Sequence, residues 1–297
     1  MTATPMRGVF AVSTTPFSCD GAQDLDMYGR SVERVLEAGV DGILALGATG
    51  EALALDEAER EAQIRHLVEV VDGRVPVVVG CMAYRPEDMS AMISSSARWG
   101  ASAAMVTPSF YGGLGARDAV AALTPVLERS ELPVLVYNNP HSTGTDLLPE
   151  DLVALLEHDS MWAVKETSGQ ATRVRELRAA LGTDVEIFVG ADGLALEGFT
   201  QGASGWVAAS AWLTPARCVD LWAAAASGDW SRAVSLWDGL AGPLGQIESD
   251  PAFISLIKRA LGELGLPQGP VRTPLPTASD EAVSVLVDTL KSLGDRH

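Results

Sequence analysis

Lys165 closes the apolar run Met161-Trp162-Ala163-Val164, so its amine would be delivered by a buried strand to a place where an ammonium is poorly solvated. Desolvation disfavours the charged amine, and a neutral amine attacks a carbonyl carbon to form a Schiff base. The competing reading is an ordinary strand-end lysine paired with Glu166. Tyr137 closes the preceding apolar run, Val134-Leu135-Val136, and a phenol there can carry protons to and from a carbinolamine. Taken alone, it is equally a barrel tyrosine bonded to its neighbours. Gly47-Ala48-Thr49-Gly50-Glu51 is a glycine-flanked turn whose N–H groups, with the Thr49 hydroxyl, could hold a carboxylate, although a tight turn also explains the glycines.

These residues need a scaffold that gathers strand ends. Short apolar, β-branched runs recur at 9–12, 43–46, 75–79, 103–106, 134–137, 162–165, 185–189 and 206–209, with segments of helical period between them. Eight such βα units predict a parallel (β/α)₈ barrel, because nothing marks a reversal of strand order. The spacing predicts a helix over 56–72, with Asp56 and Glu59 as a capping box and Gly73 as its stop. Pro86 and Pro149, each followed by acids, predict two further helix starts. Beyond Thr214 the strand signals cease, and helices are expected over 215–226, 230–240, 251–264 and 279–293. The chain is therefore divided into a barrel, 1–213, carrying the active site, and a helical region, 214–297. That region packs on the barrel or on a partner subunit, since Trp212, Trp222, Trp230 and Trp237 carry too much apolar area for a solvated tail.

Composition narrows the function. The chain has 297 residues and a formal charge of -18, which repels the nucleic-acid backbone, so no nucleic-acid partner is expected. Cys19, Cys81 and Cys218 are scattered, giving neither a disulfide framework nor a metal site; Cys81 reads as a packed small side chain. Residues 1–17 lack a charged segment followed by a long apolar run, and no long uncharged stretch comes after them, so an unprocessed cytoplasmic protein with no membrane partner is expected. Signatures for nucleotide phosphate, zinc hydrolysis and an α/β-hydrolase nucleophile are missing. His66, His141, His158 and His297 are scattered; His66 and His158 read as surface residues, and His141 as a candidate for the pocket.

Gly47-Ala48-Thr49-Gly50-Glu51, Tyr137-Asn138-Asn139-Pro140 with Thr143-Gly144, and Lys165-Glu166-Thr167-Ser168-Gly169 together resemble the dihydrodipicolinate synthase / N-acetylneuraminate lyase family, in order and in spacing. The resemblance implies a barrel with a C-terminal helical extension, a homotetramer, and no cofactor beyond a covalent lysine Schiff base with a small 2-oxo acid such as pyruvate. It assigns Lys165 as the nucleophile, Tyr137 as the proton relay with Thr49, and the turn at Gly47, Ala48 and Gly50 as the carboxylate holder. Ser142, Thr143, Gly190 and Ala209 complete the expected substrate site, with no metal ligands.

Two departures set the chain apart from the synthase. Ser142 stands where an arginine would clamp a second carboxylate, and Ala48 and Phe110 replace two relay hydroxyls, Tyr111 falling one residue late. Residues 137–140 with 142–146, and 194–199 with 202–203 and 205–206, resemble a catabolic branch that includes the deaminase acting on 1-pyrroline-4-hydroxy-2-carboxylate, and dehydration with deamination of such a cyclic imino acid is the first expectation. A 4-hydroxy-tetrahydrodipicolinate synthase or pyruvate-dependent aldolase is the alternative, and a non-catalytic carboxylate-binding barrel the second. Phosphate binding by Gly190, Gly193, Gly202 and Gly205 is a weaker reading still, as no basic residue lies among them.

Overall fold

The computed structural model describes residues 6–294; the start of the 1–17 segment and His297 lie outside them. The strands are β1 (Gly8–Val12), β2 (Gly42–Ala45), β3 (Val77–Gly80), β4 (Ala103–Val106), β5 (Val134–Asn138), β6 (Met161–Glu166), β7 (Glu186–Val189) and β8 (Gly205–Ala208). They pair in parallel in chain order, and β8 returns to β1 to close the barrel. Each strand is almost wholly buried, as a sheet covered on both faces requires, which is why its residues read as continuous apolar runs. The third strand begins two residues later than expected, past Pro76, which has no N–H to give to a ladder.

The lower end of the barrel is plugged by rings, with Phe10 and Phe188 at 5.3 Å and Trp162 and Phe188 at 5.6 Å between centroids. Between β5 and β6 the register steps from Val134 opposite Met161 to Leu135 opposite Ala163, leaving Trp162 unpaired. Such an extra residue re-aims the side chains beyond it. Past the step, Tyr137 lies directly opposite Lys165.

Helix Glu57–Val71 is capped as expected: Glu59 N–H donates to Asp56 at 2.9 Å, and Asp56 N–H donates to the Glu59 carboxylate at 3.0 Å. Helix Trp230–Ser249 overruns the expected end at 240, because Pro243 is buried in the core and packing outweighs the helix-breaking cost of about 3 kcal/mol. That overrun carries Ile247 and Glu248 to the barrel mouth. The extension docks on the barrel through Trp222 against Phe199 at 5.1 Å, while Trp212, which falls before the expected boundary at 214, is fully buried against Tyr28. Trp230 departs from expectation: it is exposed. Among the described residues, no helix is long and apolar enough to cross a membrane.

Candidate active site

The C-terminal ends of the strands enclose a cavity of about 610 Å³, lined by Gly47, Ala48, Thr49, Tyr137, Ser142, Lys165, Gly190 and Ala209 among the expected residues. Two expected members face elsewhere. The Thr143 hydroxyl donates to the carbonyls of Asn139 and Thr145, so it holds its own loop together. Gly50 sits behind the turn, where an added Cβ would meet Ser13 O at 3.1 Å and Leu46 N at 3.2 Å.

Lys165 is 7% exposed, and its Nζ lies 4.3 Å from the centroid of the Tyr137 ring. A cation over a ring face is stabilised by the ring quadrupole, and the iminium of a Schiff base would keep that interaction. Pairing of Lys165 with Glu166 is overturned. Successive strand residues point to opposite faces, and Glu166 accepts instead from Ser168 N–H at 2.5 Å and from Asn138 Nδ2 at 3.0 Å. Asn138 in turn donates to Asp146, whose carboxylate takes both terminal nitrogens of Arg173 at 2.8 Å. The Arg173 guanidinium holds the Asp146 carboxyl below the usual aspartate range. This network locks the ends of β5 and β6 from behind, and so fixes the two residues that face the cavity.

The turn after β2 is closed by Gly50 N–H to Gly47 O at 3.1 Å and Glu51 N–H to Ala48 O at 3.0 Å. The N–H groups of Ala48 and Thr49 donate to none of the described residues, which leaves two donors for a carboxylate. Glu51, in a left-handed conformation at φ 55°, anchors the turn. Its carboxylate accepts from Lys258 Nζ at 2.7 Å and from Arg272 N–H at 2.8 Å. Lys258 also donates to Thr15 O at 2.9 Å and Pro270 O at 2.7 Å, and the side chains of both ion-pair partners are fully buried. Burial pushes the Lys258 ammonium down from the usual lysine range, and Glu51 opposes that shift.

Asn139, His141, Asp192 and Glu248 line the cavity without having been assigned to the site from the sequence, where His141 alone was weighed. Asp192 is held by Trp206 Nε1 and Ser210 N–H, each at 2.8 Å, and burial raises its carboxyl above the aspartate range. Glu248 accepts from Gly193 N–H at 2.8 Å, and desolvation raises it too. Asp192 comes shortly after β7 and was visible as a strand-end acid, whereas Glu248 lies in the extension and had no local signal. Lys165 is the only lysine or arginine in the lining among the described residues. Gly202 and Gly205 are outside the lining, which removes the four-glycine phosphate reading. Phe110 borders a separate cavity near Leu53 and Tyr84, while Tyr111 is 78% exposed and meets the ring of Tyr84. Cys81 is buried beside Ser96, and burial pushes its thiol up to about 12. His158 is half-buried; so is His66, whose Nε2 is buried without a partner among the described residues, more enclosed than a surface reading allowed.

Comparison with known proteins gives concordant matches across the whole chain. The family model described as the dihydrodipicolinate synthetase family matches residues 5–293. A 4-hydroxy-tetrahydrodipicolinate synthase from Methanothrix thermoacetophila is 32% identical over 97% of this chain and 97% of its own. The chloride-inhibited dihydrodipicolinate synthase from Acinetobacter baumannii, solved in complex with pyruvate, superposes with a TM-score of 0.92 at 28% identity, covering 98% of this chain and 99% of that one. A monomeric dihydrodipicolinate synthase variant matches with a TM-score of 0.90 at 28% identity over 98% and 99% of the two chains, so the likeness carries no assembly state with it.

Proposed function

Because the chain belongs to the dihydrodipicolinate synthetase family, whose members are lyases working through a lysine Schiff base, we propose that Lys165 captures the C2 carbon of a small 2-oxo acid or cyclic imino acid. The observation that carries this reading is the buried Lys165 amine, in no salt bridge among the described residues and set against the Tyr137 ring. The substrate carboxylate would lie on the N–H groups of Ala48 and Thr49. Lys165 adds to the carbonyl, Tyr137 protonates the departing hydroxyl of the carbinolamine, and the iminium then acidifies C3.

The fate of the enamine separates two readings. The names of the relatives, and the pyruvate complex of a structural neighbour, favour condensation with an aldehyde, as in a 4-hydroxy-tetrahydrodipicolinate synthase. The chemistry of the lining favours loss of the 4-hydroxyl as water, followed by hydrolysis in which water displaces the ring nitrogen as ammonia, as from a 1-pyrroline-4-hydroxy-2-carboxylate. The outer cavity offers His141, Ser142, Asp192 and Glu248 and no arginine among the described residues, a set that receives hydroxyl or amine groups better than a second carboxylate. A cytoplasmic homotetramer would accord with either reading.

The test is borohydride treatment in the presence of pyruvate, read by peptide mass, together with product identification from the hydroxypyrroline carboxylate and from pyruvate plus aspartate semialdehyde. A reduced adduct on Lys165 is expected, with ammonia released from the first substrate. No modified lysine across a panel of 2-oxo acids would defeat the Schiff-base assignment. Condensation product without ammonia would select the synthase instead.

A further inference from the structure

We propose that Asn139 is a positioning residue that holds the Tyr137 phenol with its proton directed into the cavity and stabilises the oxygen once that proton has left. The inference rests on the reading of Tyr137 as the proton carrier. Asn139 is the only hydrogen-bond partner of the Tyr137 oxygen among the described residues, its Nδ2 donating at 2.8 Å. The orientation of the amide is set from its other end. Ser142 N–H donates to Asn139 Oδ1 at 3.3 Å in the first turn of the helix Pro140–Thr143, which Asn139 caps. An N–H donor can only meet a carbonyl oxygen, so the amide nitrogen is left facing the phenol and the Ser142 hydroxyl, the latter at 3.1 Å.

The chemical consequence comes from donor and acceptor roles. A phenol that accepts from Asn139 is free to give its own hydrogen elsewhere, and the cavity is where the oxygen otherwise looks. When the proton passes to a leaving hydroxyl, the same N–H meets a phenolate, and a hydrogen bond to a charged acceptor is about twice as strong as one between neutral groups. Ala48, across the cavity, has no side-chain group to share the task. Asn139 is 8% exposed, so water competes little for that bond.

Asn139→Asp separates this role from capping. Aspartate caps a helix as well as asparagine does, but an ionised carboxylate accepts the phenol's hydrogen and repels the phenolate. Asn139→Gly is a second variant that keeps an acceptable capping residue and supplies no donor. The probe is pyruvate in D₂O, with exchange of its C3 hydrogens followed by NMR and adduct formation followed by borohydride trapping. Both variants should still accumulate the pyruvate adduct on Lys165 at long incubation, while its formation and the C3 exchange that follows it slow by about tenfold or more, the size of loss for a hydrogen bond to a charged group. Towards about pH 5 the deficit of N139D should shrink, as the introduced carboxyl takes up a proton and can donate, while that of N139G should not. Exchange within about twofold of the parent in both variants, or deficits that run parallel with pH, would overturn the assignment. If the parent protein forms no adduct with pyruvate, the Schiff-base reading itself has failed, and the role of Asn139 falls with it.

Discussion

Gly190→Ala tests whether the position of the Lys165 stem matters to its chemistry. An ideal methyl at Gly190 would lie 2.1 Å from Thr167 Oγ1, 2.7 Å from Lys165 Cε and 2.8 Å from Lys165 Cγ. Unstrained carbon contacts begin near about 3.5 Å. Thr167 Oγ1 has no hydrogen-bond partner among the described residues and can rotate away. Lys165 Cγ is in the middle of the stem and cannot swing alone, so the whole side chain must retreat by close to an ångström. Gly190 does not occupy the left-handed region, so no backbone strain is added. Overpacking of this kind costs about 1 to 3 kcal/mol of stability, and an ångström of misplacement at a reacting group costs about 10²-fold in rate. The assay is the rate of borohydride trapping of pyruvate on Lys165, with urea unfolding measured beside it. A variant destabilised by about 1 to 3 kcal/mol, still folded, and slower by about two orders of magnitude is expected. Trapping within about threefold of the parent would show that the amine tolerates displacement and refute the reasoning.

Two further outcomes concern the supports behind the site. The folded-state pKa of Asp146 is lowered, first by its hydrogen bond to Arg173, so the pair's contribution is present above the ordinary aspartate value of 3.8 and is lost as pH falls below it. Asp146→Asn should therefore lower stability at neutral pH by about 1 to 2 kcal/mol, a value held down by the partial exposure of Asp146. It should also flatten the fall in melting temperature between about pH 4 and pH 2; an unchanged acid limb would contradict the assignment. Lys258→Met leaves Glu51 buried without its cation and should cost about 3 to 5 kcal/mol in urea unfolding, whereas a loss below about 1 kcal/mol would mean that water reaches the site.

The barrel was legible because a parallel strand covered on both faces leaves an unbroken apolar run, and the run also announces the residue at its end. Lys165, Tyr137 and Gly190 could be read in this way, each being the residue next to or at the close of such a run. Asn139 and Ser142 were visible as a motif, but the bond from the amide to the phenol depends on the turn of a four-residue helix that no periodicity reports. Glu248 was hidden for a different reason. The expected end at 240 stopped short of it, and burial of Pro243 in the tertiary core lets the helix run on to the cavity. The face taken by Thr143 depended on where its hydroxyl found carbonyls, which residue type alone does not decide.

The Glu51–Lys258 bond has a consequence for the order in which the protein acquires its shape. All eight strands have left the ribosome once Ala208 has emerged, yet the second loop of the nascent barrel then holds an acid whose cation has not been translated. Lys258 and the Arg272 amide arrive only with the third of the long C-terminal helices and the segment after it. A chain halted after its last strand would possess the staves of the barrel and leave unset the turn proposed to hold the substrate carboxylate.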